Sequence, residues 1–203
     1  MDMVHVQFMR SLLLLNTTGH EIFYEIVSGS LIYDARNRLL QTAKKIGVDR
    51  ILWLDSDMQI PIDALQMLSK DIDNGCEIVS GLYFRRKPPF TPVIFKECCV
   101  HRLEDNRLEP TAKNYDDYPK DSVFQVAAFG FGCTLMTMDA ANRVTDELGL
   151  LPFMPSAGFG EDLSFCMRAS HVGIQLWCDS RVKCGHIGYK TFTGQDYEVA
   201  NNG

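Results

Sequence analysis

Two aspartates one residue apart, Asp55 and Asp57, directly follow the apolar run Ile51-Leu52-Trp53-Leu54. The run reads as a buried strand, and ligands in α/β sheets bind just beyond the carboxyl ends of strands. The pair can therefore share one site at the rim of a sheet. Two hard oxygen donors on a turn suit Mg²⁺ or Mn²⁺, which bind one or two carboxylates together with substrate phosphates. The blander reading is that one of the acids caps a helix or braces a turn, since Pro61 soon opens a helix.

A second acidic pair, Glu161-Asp162, follows Gly158-Phe159-Gly160 at the start of a helical pattern. Acids in a first helical turn are favoured by the helix dipole. Alternatively, one of them faces a cleft as a general base, its pKa raised by neighbouring acids. His186, in Cys184-Gly185-His186-Ile187-Gly188, follows the last strand-like run and could reach the same rim. As a ligand its imidazole would favour Mn²⁺ over Mg²⁺, which prefers all-oxygen shells.

These groups must be positioned by the elements around them. The chain has 203 residues and a net charge of −6, enough for one domain and no match for a general nucleic-acid binder. No apolar run is long enough to cross a bilayer, and no signal-peptide layout is present. Seven cysteines, odd in number and scattered, predict a reduced, cytoplasmic protein.

Spacing of apolar residues predicts a helix over Val4 to Leu15, a strand over Glu21 to Val27 and a helix from about Tyr33 to Ile46, stopped by Gly47. The Ile51 to Leu54 strand follows, then a helix through Ala64 to Leu68 ending at Asn74-Gly75, then a strand over Cys76 to Tyr83. Such alternation predicts an α/β fold, a mostly parallel central sheet with helices on both faces. From Arg85 the chain turns irregular, with a short edge strand at Pro92 to Phe95, a hairpin and a polar excursion over His101 to Lys120. Strands over Val123 to Ala128 and Cys133 to Met138 flank Phe129-Gly130-Phe131-Gly132. Helices over Asp139 to Leu148 and Glu161 to Val172 precede strands at Ile174 to Trp177 and Arg181 to Lys183.

Other features are weaker. Arg85-Arg86-Lys87 reads as a solvated basic loop or as one that steers a diphosphate. The cysteines lack paired C-x-x-C spacing, so zinc is not expected. Trp53 and Trp177 read as core residues on strands, and Trp177, near a strand end, could stack on a sugar.

Taken in order, Arg36-Asn37, Leu52-Trp53-Leu54-Asp55-Ser56-Asp57-Met58, Gly130-Phe131-Gly132-Cys133-Thr134-Leu135-Met136, Gly160-Glu161-Asp162-Leu163-Ser164-Phe165-Cys166 and His186 resemble the GT-A glycosyltransferases, particularly their family 2-like members. The resemblance runs over nearly the whole chain. It implies a single-domain, Rossmann-like GT-A fold over residues 1–203, with 1–84 as the nucleotide-sugar half and 85–203 as the acceptor half.

It further implies that Asp55 and Asp57 hold a divalent cation, Mn²⁺ before Mg²⁺, against the donor diphosphate, and that His186 completes the metal shell. Asp162 would be the general base of an inverting transfer, with Glu161 orienting the acceptor or the base. Arg36 and Asn37 would contact the donor nucleotide, and Phe131, Gly132 and Cys133 would line the sugar and acceptor pocket. The implied donor is a UDP- or GDP-sugar and the acceptor a glycan, a lipid carrier or a protein.

One departure stands out. The GT-A pattern begins with a strand and a Pro-Thr-like loop ahead of what Met1 to His5 matches, so that first strand either lies upstream of this sequence or is missing. The competing readings are an inactive nucleotide- or glycan-binding module, a D-x-D phosphohydrolase and a nucleotidyltransferase. In the phosphohydrolases Thr or Val is expected where Met58-Gln59 stands. A nucleotidyltransferase would leave Glu161-Asp162 and His186 unexplained.

Overall fold

The computed structural model describes residues 4–149, 151–188 and 191–201. Its first half carries helices α1 (Val6–Leu13), α2 (Ile32–Ile46) and α3 (Ala64–Asp73) with strands β1 (Arg50–Leu54), β2 (Met58–Gln59) and β3 (Ile78–Leu82). Strands β4 (Ile94–Arg102), β5 (Leu108–Asn114), β6 (Val123–Val126), β7 (Ala128–Phe129) and β8 (Cys133–Thr137) follow, then α4 (Met138–Leu148) and α5 (Glu161–His171). The chain continues through β9 (Leu176–Lys183), β10 (Gly185–Ile187), β11 (Thr191–Phe192) and α6 (Gly194–Asn201).

Five strands form the main sheet in the order β1-β8-β3-β9-β6. Residues alternate between two core layers because successive strand side chains point to opposite faces. Ile78 and Met136 join one layer with Leu40 of α2, Val144 of α4 and Phe165 of α5. Val79 and Leu135, their neighbours in sequence, join the other with Leu65, Leu68 and Ile72 of α3 and Phe8 of α1. All five residues of β3 are buried, as a strand covered on both faces requires. Helix α2 stops at Gly47, whose φ of 82° is the left-handed cap conformation glycine adopts freely, and its N–H bonds the carbonyl of Ala43.

The α/β layering matches expectation, but the sheet is mixed and not mostly parallel. Among the described residues only β3 and β9 pair in parallel; β1–β8, β8–β3 and β9–β6 are antiparallel. The helix between β1 and β3 does set those two strands in the same direction. Strand β8, arriving much later in the chain, inserts between them and runs the other way.

The strand bearing the D-x-D pair thus lies at the sheet edge. Expected as a strand, Glu21 to Val27 forms none, and Phe23, Tyr24 and Ile26 are 56, 62 and 76% exposed. Alternation alone makes no strand: the backbone groups need a neighbouring ladder. Helix α1 is shorter than expected, and two residues of its predicted apolar face, Val6 and Leu13, stand in solvent.

Two small sheets flank the large one. One, in the order β5-β4-β7, contains the expected hairpin. Its second strand, β5, lies within the stretch expected to be irregular, where Leu108 to Asn114 pairs along β4. The other, in the order β11-β10-β2, ties the residues just after the D-x-D turn to the strand that holds His186. The two short strands expected near the end are one strand, β9. Its register with β3 shifts between Gly81 and Leu82, a bulge that bends the strand locally.

Candidate active site

Strand β1 ends at Leu54, and the next residues turn sharply under three backbone hydrogen bonds. The Asp55 amide donates to the Gly132 carbonyl at 3.1 Å, and the Met58 amide donates to the Asp55 carbonyl at 3.1 Å. The Ile187 amide donates to the Asp57 carbonyl at 2.7 Å. The acidic turn is therefore held between the start of β8 and the strand β10. A Cβ on Gly132 would stand 3.0 Å from both Met58 Sδ and the Tyr83 ring, so glycine permits this close approach.

Met58 lies opposite His186 in the β2–β10 ladder, which brings the imidazole beside the second acid. His186 Nδ1 is 2.8 Å from the Phe84 carbonyl oxygen. A carbonyl only accepts, so Nδ1 carries the hydrogen, and a neutral ring then presents its Nε2 lone pair. That nitrogen lies 3.5 Å from Asp57 Oδ2. The Tyr83 ring meets the imidazole edge to face at 5.4 Å between centroids and steadies it.

From the other side, α2 delivers Arg36, which is only 4% exposed. Its Nη2 donates to Asp55 Oδ1 at 2.9 Å and lies 3.7 Å from Glu161 Oε1. The guanidinium sits 5.0 Å above the Phe131 ring, while Nη1 is buried with no hydrogen-bond partner among the described residues. Helix α5 begins with Gly160 as its cap, so Glu161 and Asp162 occupy its first turn. Asp162 Oδ1 accepts from the Leu163 amide at 2.7 Å.

The environments of these acids differ. Burial raises the pKa of Asp55, and Asp57 and Glu161 push the same way; Arg36 opposes them, yet the group stays above the ordinary carboxylate value. Burial also acts to raise Asp57, but His186 in its protonated form, which donates from Nε2, and Arg86 outweigh it and hold that carboxyl low. Asp162 is raised, first by burial and then by Glu161, against the opposing Leu163 amide and Arg36. One acid is thus kept ionised beside an imidazole while another is made more basic, the separation that acid–base chemistry requires.

The structure brings Asp55, Asp57, His186, Arg36, Glu161 and Asp162 to one rim. The other residues singled out in the sequence do not open onto that rim. The Asn37 side chain is taken up by the loop ahead of α5, where Oδ1 accepts from the Phe153 amide at 3.1 Å. Phe131 and Cys133 are 1 and 0% exposed, in opposite core layers, and so line no open pocket. Phe131 instead supports Arg36 from below, and Gly132 between them anchors Asp55.

Trp177 sits near the amino end of β9, against a cavity of about 260 Å³ shared with Asp71, Asn74, Gly75, Cys76 and Val123. Strands β1, β3 and β9 run in one direction, so that end of the sheet is the one opposite the acids. A cavity of about 560 Å³ beside Lys44, Arg50 and Asp139 is likewise remote from them.

Two residues at the rim were not singled out as site residues. Tyr83, buried just beyond β3, has its hydroxyl 3.3 Å from the Gly132 amide, and burial with nearby Asp55 pushes its pKa well up. Arg86 places Nη1 3.0 Å from Asp57 Oδ2 and donates to the Ile187 carbonyl at 3.0 Å. The signal for both was position, since Tyr83 and Arg86 follow the carboxyl end of a buried strand.

Asp57 and His186 together make an oxygen–nitrogen pair suited to a divalent cation. Among the described residues no three His, Cys, Asp or Glu side chains are grouped to enclose one. The protein therefore offers part of a coordination shell. Such sites are completed by substrate phosphates and water.

No protein-family model and no curated protein matches the chain. Among solved structures, the crystal structure of A197 from STIV is 16% identical, covers 93% of this chain and 82% of its own, and superposes with a TM-score of 0.59. GalNAc-T7 with UDP, GalNAc and Mn²⁺ is 13% identical over 84% of this chain and 34% of its own, with a TM-score of 0.49. The apo form of UDP-glucose pyrophosphorylase is 11% identical over 88% of this chain and 60% of its own, with a TM-score of 0.41. The likeness to A197 is one of fold: mixed α/β layering over nearly the whole chain is common to both proteins.

Proposed function

We propose that the chain is a metal-dependent glycosyltransferase of the GT-A type, moving a sugar from a nucleoside-diphosphate donor to an acceptor hydroxyl. The observation that carries this reading is the meeting of two acidic pairs at one rim, Asp55 and Asp57 with Glu161 and Asp162, bridged by the buried guanidinium of Arg36. Glycosyl transfer needs a cation site for the leaving diphosphate and a base for the acceptor proton, at separate but adjacent places.

Asp57 and His186 would hold the cation, and the imidazole favours Mn²⁺. When bound, the cation supplies Lewis-acid neutralisation of the diphosphate. The chain's own residues do the rest. Arg36 keeps a fixed positive charge between Asp55 and Glu161, so both carboxylates remain oriented. Asp162, made more basic by burial, accepts the acceptor's hydroxyl proton as its oxygen bonds to the anomeric carbon and the carbon–phosphate oxygen bond breaks. Attack from the face opposite the leaving group inverts the anomeric centre. The donor is a UDP- or GDP-sugar in this reading, and the acceptor a glycan, lipid carrier or protein hydroxyl.

A binding-only role is favoured by one observation: Arg36 and Arg86 already neutralise both acids of the D-x-D turn. Incubation with UDP- and GDP-sugars separates the two. Mn²⁺-dependent release of nucleoside diphosphate, lost in Asp57→Ala, supports transfer. Mn²⁺-dependent binding without release in the presence of acceptor sugars supports the binding role. Absence of both overturns the donor-site reading.

A further inference from the structure

Arg86 lies on the loop between β3 and β4, closed by the Arg85 amide donating to the Thr91 carbonyl at 3.0 Å and by a bridge between Phe84 and Pro92. Its guanidinium reaches the same oxygen, Asp57 Oδ2, that faces His186 Nε2. A guanidinium nitrogen and an imidazole nitrogen thus converge on one carboxylate oxygen, at 3.0 and 3.5 Å. A divalent cation held by Asp57 and His186 would bond directly to Asp57 Oδ2 or its partner oxygen and to Nε2. It would claim the carboxylate that Arg86 now holds, and its double charge would repel the guanidinium. The Arg86 side chain is 44% exposed, so solvent borders it, and besides Asp57 it is held by its hydrogen bond to the Ile187 carbonyl.

We propose that Arg86 is an exchanging counter-ion: it holds Asp57 while no cation is bound and passes to the donor's diphosphate when the cation arrives. The inference rests on the donor-site reading and adds a residue to it. A diphosphate attached to the cation brings anionic oxygens to the place Arg86 must vacate. The planar guanidinium is built to grip such oxygens in pairs. One side chain therefore opposes the cation alone and favours cation and nucleotide together. Binding of either then promotes the other by the same factor.

Calorimetric titration of wild type and Arg86→Gln tests this without any turnover, using Mn²⁺ alone and then UDP and GDP at saturating Mn²⁺. Removing a half-exposed competitor should tighten Mn²⁺ alone by about 2- to 5-fold. The same change should weaken the nucleoside diphosphate by about 10-fold and reduce its dependence on Mn²⁺. Arg86→Lys, which keeps the charge and loses the fork, should recover the competition but only part of the nucleotide affinity.

Opposite signs on the two ligands are the mark of exchange. If wild type binds Mn²⁺ with a nucleotide and Arg86→Gln leaves Mn²⁺ affinity unchanged or weakens both ligands, the exchange is wrong and the donor site stands. If wild type binds neither nucleotide at any Mn²⁺ concentration, the donor reading fails and takes this inference with it.

Discussion

Arg36 and Asp55 form an ion pair 2.9 Å long between α2 and the end of β1, and the arginine is buried while the aspartate keeps a third of its side chain open. The same guanidinium reaches Glu161 on α5, so one charge ties three elements at the rim. Removing one partner of a fully buried pair costs about 3–5 kcal/mol, because the other charge is stranded. Asp55 is 35% open in its side chain, which discounts that figure. Arg36→Met should therefore lower unfolding free energy by about 2 kcal/mol in urea titrations, and Arg36→Met/Asp55→Asn should recover part of the loss.

His186 is expected to matter through its free nitrogen. With Nδ1 fixed by the Phe84 carbonyl, His186→Phe removes the Nε2 ligand and also strands that carbonyl. Changes in or just around a metal shell typically cost about 10- to 100-fold in affinity, and a loss of that order is expected for Mn²⁺. Titration of Mn²⁺ in the presence of nucleoside diphosphate measures it.

Asp162 should separate binding from transfer. Asp162→Asn is expected to keep donor affinity and reduce transfer by about 10²- to 10⁴-fold, the usual contribution of a general base. The wild-type rate should fall on the acid side as pH drops through the pKa of Asp162, which burial raises from the ordinary aspartate value. A pH profile of transfer by both proteins shows this acid limb, and the Asn variant should lack it.

Away from the rim, Asp71 and Asp179 are buried side by side, and Arg181 bonds both at 2.9 and 2.8 Å. Burial and the neighbouring Asp179 push Asp71 up to about 6, against the opposing Arg181. A carboxyl whose folded pKa exceeds its unfolded value binds its proton more tightly when folded. Its contribution is complete below the unfolded pKa, near 3.8, and is lost as pH rises through about 6. Melting curves between pH 4 and 7 should show wild type losing stability on the alkaline side relative to Asp71→Asn, whose midpoint lacks this component.

Much of the rim was legible in the sequence because types and context agree there. Asp55 and Asp57 follow an apolar strand, and Glu161 and Asp162 open a helix after glycines. What residue patterns do not carry is partnership. Period-two alternation tells which side chains share a face, so Trp53 was correctly read as core. It does not tell which end of the sheet a residue occupies, and Trp177 stands at the end opposite the acids.

Nor does alternation name the neighbouring strand. Glu21 to Val27 carries a strand's pattern without a ladder, and β8 enters between β1 and β3 although four strands separate it from β3 in the chain. Phe131 and Cys133 follow the same logic: the family resemblance implied a pocket there, whereas both side chains lie in the core on either side of Gly132. Arg86 was visible only as part of a basic loop, solvated or steering a diphosphate, with no partner named. Its role depends on β10 lying beside β2, a long-range pairing that leaves no local trace.

The central claim is a cation-dependent site for a nucleoside diphosphate, and thermal unfolding with UDP, GDP, CDP and dTDP, each with and without Mn²⁺, tests it most directly. A ligand that binds only the folded state at 100 times its Kd adds about 2.7 kcal/mol, or about 5–10 °C for a chain of this size. One nucleotide should raise the midpoint by that order with Mn²⁺, not without it, and not in Asp57→Ala. A shift of equal size without Mn²⁺ and in Asp57→Ala, or no shift with any of the four, would contradict the account.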